Sequence, residues 1–268
     1  MSTPELPFTD GSPVSRRARL TVAYDGRGFH GFAEAAGQRT VMGELRAAIE
    51  RITQRPADPV GAGRTDAGVH GWGQVVSLDL PADTDLDRLS HRLTRLCGPE
   101  IAVRDAAWCA DPEFSARLSA RWRHYRYHVL NSPRPVPAFA ATTWHVAAPL
   151  DLWAMQLACD PLIGEHDFGS FCRLPKVRPE QPVPSLRRRV LLAQWSTVDS
   201  DYGPLLRFEI RANAFCHQMV RSIVGTMVDV GSGKLHAGEV RGILLARDRR
   251  AAGQVAPPHG LTLWEVGY

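Results

Sequence analysis

The chain has 268 residues, 44% of them hydrophobic and 22% charged, which allows one large domain or two modest ones with ordinary soluble cores. No apolar run approaches the roughly 20 residues of a bilayer-spanning helix, and the start, MSTPELPFTDGSPVS, lacks the basic and apolar regions of a secretory signal. Arginine supplies nearly all the positive charge behind a formal net charge of +4, with clusters at Arg16, Arg17 and Arg19, at Arg121, Arg123 and Arg126, and at Arg187, Arg188 and Arg189. That pattern suits a phosphate-bearing partner as well as it suits a solvated surface.

Residues 1–15 read as a loose N-terminal tail rich in Pro, Ser and Thr. Residues 18–24 alternate Leu20, Val22 and Tyr24 against Arg19, Thr21 and Ala23, the period of a half-buried strand. Thr40 is placed to cap a helix over 41–53, which puts Val41, Leu45, Ala48, Ile49 and Ile52 on one face. A strand over 74–80, a helix over 85–96 and strands near 101–108 and 121–130 follow. The segment 131–137, with three prolines in seven residues, is a linker and divides the chain into halves at 16–131 and 132–268. Beyond it the pattern predicts a helix near 150–162, a basic Pro-rich loop at 173–187 and strands near 188–197 and 204–211. An apolar helix over 216–230 should stop at Gly231 as its C′ glycine. A short helix near 237–246 and a strand near 261–266 end the chain. Without regular βαβ alternation, the expected class is α+β with mainly antiparallel sheets.

Five scattered cysteines, Cys97, Cys109, Cys159, Cys172 and Cys216, form no CxxC pair. An odd count in a chain without a signal implies reduced thiols in the cytoplasm, with neither a disulfide framework nor a cysteine-bound zinc.

The stretch most able to carry chemistry is Gly61-Ala62-Gly63-Arg64-Thr65-Asp66-Ala67-Gly68-Val69-His70. Its glycines allow tight turns and close approach of a ligand, and its carboxylate suits a nucleophile or general base. It has neither the GxxxxGK[ST] spacing of a P-loop nor GxGxxG, which leaves a nucleotide-hydrolysing enzyme without its lysine. Taken alone, the same residues also make a structural turn in which Asp66 caps backbone amides.

The string GAGRTDAGVHGWGQVVSLDL resembles the central motif of the TruA-type tRNA pseudouridine synthase family. The likeness extends to YDGRGFHGF at 24–32, RTVMGELRAAIERI at 39–52, EFSARLSARWRHYRYHVLN at 113–131 and RANAFCHQMVRSIVGTMV at 211–228. Five matches in order make chance similarity untenable. The resemblance implies the pseudouridine synthase fold, two similar α/β halves with joined sheets and a central cleft. It implies Asp66 as the catalytic aspartate, Tyr125 as the aromatic on which the target base stacks, and Arg221 as the aspartate's basic partner. Arg64 would hold the flipped nucleotide and its phosphate, while His70, Gln74 and Asn213 orient the site, the first two beside the substrate. His217 is expected as a helix-start or packing residue, and Trp72 as a surface or interface residue.

The same likeness implies tRNA as substrate, uridines at positions 38, 39 and 40 of the anticodon stem-loop as targets, a homodimer, no membrane and no cofactor or metal. Two departures bear on RNA choice. The chain has Gly31-Phe32-Ala33-Glu34-Ala35 where the family usually has Gly-Trp-Gln-x-Gln, and Met42 at a position that is often Gln. A synthase acting on another RNA site, or an RNA-binding protein that kept the fold without the chemistry, are the alternatives.

Overall fold

In the computed structural model residues 14–174 and 184–268 are described. Most of the expected tail, and 175–183 of the expected 173–187 loop, lie outside the described residues.

β1 (Ser15–Tyr24) buries Ala18, Leu20, Val22 and Tyr24 on one side, as its alternation predicts. α1 (Val41–Thr53) starts where Thr40 Oγ1 accepts the Gly43 N–H at 3.2 Å, and it buries Val41, Leu45, Ala48 and Ile49. After β2 (Val60–Gly61) and β3 (His70–Pro81), α2 (Leu86–Cys97) is capped by Asp85, whose Oδ1 accepts the Arg88 N–H at 2.9 Å. β4 (Ile101–Trp108) and β5 (Trp122–Asn131) follow, then β6 (Trp144–Val146), α3 (Leu152–Leu157), β7 (Gly164–Asp167), β8 (Arg187–Val198) and β9 (Leu205–Ala212). α4 (Met219–Gly231), α5 (Glu239–Ala246) and β10 (Leu261–Gly267) complete the chain. No helix of the described residues is long and apolar enough to cross a membrane.

Several boundaries differ from the sequence reading, β3 starting four residues before the expected 74, and three differences have a local cause. The helix expected over 150–162 ends at Leu157, and only a 3-10 turn, Asp160–Leu162, forms around Pro161. α4 begins at Met219 rather than 216 because Gln218 sits at φ 63°, in the left-handed region. Gly231 is the last helical residue and Ser232 the cap. The positive φ past the helix end, 78°, falls on Gly233, which is therefore the C′ glycine.

The strands make one ten-stranded sheet in the order β4-β1-β3-β10-β5-β9-β8-β7, with β2 on β3 and β6 on β5. Only the β10–β3 and β5–β6 pairs are parallel, so the α+β expectation holds. The chain's last strand lies between β3 and β5 and closes the gap between the two ends of the sheet. Tyr24, Gly71, Leu263, Tyr125 and Ile210 stand in register across it. One core gathers β1, β3 and β4 under α1 and α2. The other gathers β5, β9 and β10 under α3, α4 and α5. Since β5 pairs with β9 and β10, it belongs to the second core, to which β3 adds Val75, so the cores do not divide at residue 131.

The side chains that alternate with Tyr125 and Tyr127 occupy the opposite face, where arginines lie on tryptophans. Arg104 stacks over Trp72 at 3.7 Å and Arg126 over Trp264 at 3.8 Å, and the two indoles are near parallel with centres 5.9 Å apart. Trp72 is thus a partly exposed surface residue, as expected.

Candidate active site

The glycine-dense stretch runs from β2 into β3 as a tight turn. Val69 N–H donates to Asp66 O at 3.1 Å, and Gly68, at φ 79°, supplies the left-handed residue that such a turn needs. The turn is braced from several sides. Tyr24 Oη and Thr65 Oγ1 are hydrogen-bonded at 2.9 Å, Phe32 N–H donates to Thr65 O at 3.1 Å, and Gln74 Nε2 donates to Gly63 O at 2.8 Å. His70 receives the Gly26 N–H on Nδ1 at 3.3 Å, while its Nε2 lies 3.1 Å from the carbonyls of Ala141 and His259. Burial, against the pull of Asp25, holds the His70 imidazole below its usual pKa.

Asp66 projects from this turn toward the first turns of α4. Arg221 Nη1 donates to Asp66 Oδ2 at 3.0 Å across 155 residues of sequence, and its Nε donates to Ala256 O at 2.7 Å. That second bond fixes the guanidinium in one orientation, so Arg221 does not reach out to solvent. The other carboxylate oxygen, Oδ1, lies 3.4 Å from His217 Nε2. Asp66 is 24% exposed, so its outer side stays accessible.

Both groups line a cavity of about 1030 Å³, ample for a flipped nucleotide and its neighbours. Tyr125, on β5, forms part of its wall and meets the edge of Phe215 with ring centres 5.0 Å apart at 88°. Burial first, then the nearby Tyr24 and Asp66, raise the Tyr125 hydroxyl far above the usual phenol range, so it stays protonated at neutral pH. Six arginines, Arg46, Arg64, Arg117, Arg123, Arg188 and Arg221, line the cavity against two carboxylates, Glu34 and Asp66, which makes it strongly electropositive. Arg64 is exposed, with no ion pair among the described residues.

The structure therefore brings Asp66, Tyr125, Arg221 and Arg64 to one cavity. It does not bring His70 and Gln74 there. Both are buried behind the motif, with hydrogen bonds to main-chain groups, so they hold the turn and do not reach a substrate. Asn213 takes the Arg189 N–H at 2.9 Å and shapes the loop ahead of α4.

Sequence reasoning gave no site role to three neighbours. Arg123 clamps the cavity wall by donating to the carbonyls of Ala62, Arg117, Asn213 and Ala120 at 2.8–3.2 Å. Phe215 and His217 lie within the matched 211–228 segment, the one signal that pointed to them. Cys172 and Cys216, 44 residues apart, lie side by side with Cα atoms 5.8 Å apart. The fold brings them together beside the cavity, and no spacing rule in the sequence announces the pair.

A family model described as tRNA pseudouridine synthase matches residues 158–268. The tRNA pseudouridine synthase A of Brevibacillus brevis is 39% identical over 94% of this chain and 100% of its own length. The chain belongs to the tRNA pseudouridine synthase A family. The Caulobacter member is 40% identical over 94% of this chain and 98% of its own, and that of Halalkalibacterium halodurans 42% over 92% and 90%. Membership makes the chain an enzyme of the isomerase class and sets aside both the pure binding protein and the nucleotide hydrolase.

Proposed function

We propose that the chain converts uridine to pseudouridine in the anticodon stem-loop of tRNA, at positions 38, 39 and 40, with Asp66 as the catalytic carboxylate. The observation that carries this reading is the meeting of Asp66 and Arg221 on the wall of an electropositive cavity that also presents Tyr125. The reaction breaks N1–C1′, turns the base and joins C5 to C1′. A stacked base cannot turn, so the nucleotide must leave the helix for the cavity. Tyr125 offers the ring on which it stacks, a contact that contributes about 1–3 kcal/mol. Arg221, itself fixed on Ala256 O, aims Asp66 at the sugar–base junction. Arg64, exposed and unpaired among the described residues, takes the nucleotide's phosphate.

The residues that depart from the family pattern bear on target choice. Phe32, Ala33, Glu34 and Met42 all line the cavity, and Glu34 brings a negative charge to a wall that faces RNA. That placement favours one second reading, a pseudouridine synthase acting at another RNA position. Cytoplasmic location and a homodimer belong to the proposal through the family likeness. Light scattering of the purified chain separates one copy from two.

The test is pseudouridine formation on unmodified tRNA transcripts that carry single uridines, with wild type beside Asp66→Asn. Turnover at the anticodon-stem positions by wild type alone is the expected result. Turnover by Asp66→Asn near the wild-type rate overturns the carboxylate assignment, and product only at other positions selects the second reading. Binding should weaken steeply with salt, since several arginines displace counterions from phosphates.

A further inference from the structure

Four of the chain's ten histidines have an evident structural duty. His70, His145, His166 and His259 each set a ring nitrogen against a main-chain carbonyl at 2.8–3.1 Å. His217 differs. Its ring is 49% exposed, lines the cavity, and its Nε2 faces Asp66 Oδ1 at 3.4 Å with no main-chain partner among the described residues. His30 also lines the cavity, but among the described residues the ion-pair partners of Asp66 are His217 and Arg221.

The main chain of His217 is nonetheless firmly placed. Its carbonyl accepts the Arg173 N–H at 3.0 Å, Cys216 before it packs beside Cys172, and Gln218 after it takes the left-handed conformation that launches α4. Arg221 follows in that helix. One short segment thus delivers both partners of Asp66, one to each carboxylate oxygen, while the imidazole keeps a free approach from the cavity.

The reaction itself demands a proton carrier. Once C5 has joined C1′, C5 still holds its hydrogen. That proton must leave, its bonding pair must restore the C5–C6 double bond, and N1 must take up a proton. One proton moves from C5 to N1, and nothing is oxidised or reduced. Tyr125, held as a neutral phenol, is a poor proton acceptor, and the proposed function assigns Asp66 to the sugar–base junction.

We propose that His217 is a second catalytic group, the imidazole that takes the C5 proton and returns it toward N1. The inference rests on the reading of Asp66 as the catalytic carboxylate. His217 Nε2 is the accepting atom, and Asp66 Oδ1 stabilises the imidazolium that results.

The experiment compares wild type, Asp66→Asn, His217→Ala and His217→Gln in single turnovers on tRNA transcripts with hydrogen or deuterium at uridine C5. Imidazole is added to each in a parallel series. His217→Ala should turn over about 100-fold more slowly with tRNA affinity within about 3-fold of wild type. It should show a larger deuterium effect than wild type and recover with added imidazole. His217→Gln, which can hydrogen-bond but cannot carry the proton, should be equally slow. A rate within about 3-fold of wild type in either variant overturns the proposal. So does a slow His217→Ala whose deuterium effect matches wild type and which ignores imidazole. Failure of the underlying reading looks different, because Asp66→Asn would then react or wild type would be inert.

Discussion

Asp66 and Glu209 are both carboxylates held by arginine, one on each face of the same sheet, yet their surroundings differ in kind. Glu209, on β9, is only 8% exposed and is enclosed. Arg126 Nε donates to it at 2.7 Å, Arg207 and His124 approach at 3.4 Å, and Gln194 Nε2 donates at 3.4 Å. Burial alone would raise its pKa, but Arg126 and then Arg207 outweigh that and hold it below the usual carboxylate range. Asp66 has one arginine, one histidine and an open side on the cavity. The lesson is that an ion pair reveals little by itself. A carboxylate whose lone pairs are all taken builds structure, whereas one with an accessible side can react.

The sharpest way to break that contrast is to neutralise each acid in turn. Asp66→Asn should lower turnover at least about 1000-fold while the melting temperature stays within a few degrees. The checks are single-turnover kinetics and calorimetry on the same preparation. Glu209→Gln should do the reverse. It leaves Arg126 and Arg207 without their counter-charge and costs about 2 kcal/mol of stability by denaturant titration, with turnover per folded molecule kept. A smaller effect comes from Arg221→Lys. An ammonium cannot serve Ala256 O and Asp66 Oδ2 in the fixed fork of a guanidinium, so the rate should fall about 10-fold to 100-fold with tRNA affinity little changed.

The mildest test uses pH on the far face. Burial pushes His124 and His128 down to about 4 from 6.5, in His124 despite the nearby Glu209. Both stay neutral in the folded chain, while an unfolded chain takes up their protons below 6.5. Stability should therefore be flat above about pH 7 and decline as pH falls from 6.5 toward 4. Glu209, with its lowered pKa, contributes stability that is lost only at still lower pH. Melting temperatures across that range, with His128→Gln flattening part of the slope, check the sign.

Much of the candidate site was legible because it sits in contiguous strings. Arg64 and Asp66 share one turn, and Tyr125 and Arg221 each lie in a segment with a recognisable pattern. The strands and α1 were legible because alternation and a capping threonine are local properties. What could not be read depends on long-range pairing. Nothing near residue 261 says that β10 enters between β3 and β5, so the division at 131 missed the boundary of the cores. The Glu209 cluster is drawn from Gln194, Arg207, His124 and Arg126, residues on three strands, and has no signature along the chain. His70 and Gln74 shared a motif with Asp66 and looked like substrate contacts, yet alternation and the tight turn direct them into the scaffold.

The placement of β10 has a mechanical meaning as well. With its last strand bonded to β3 at Thr262 and Leu263 on one side and to β5 on the other, the sheet runs on beneath the cleft from one half to the other. A cleft spanned by one sheet would leave much of the yielding to the nucleic acid. A uridine in a pliant or mispaired stem should enter more readily than one in a stiff duplex. The enzyme would then sense how softly its target is held as well as where it lies.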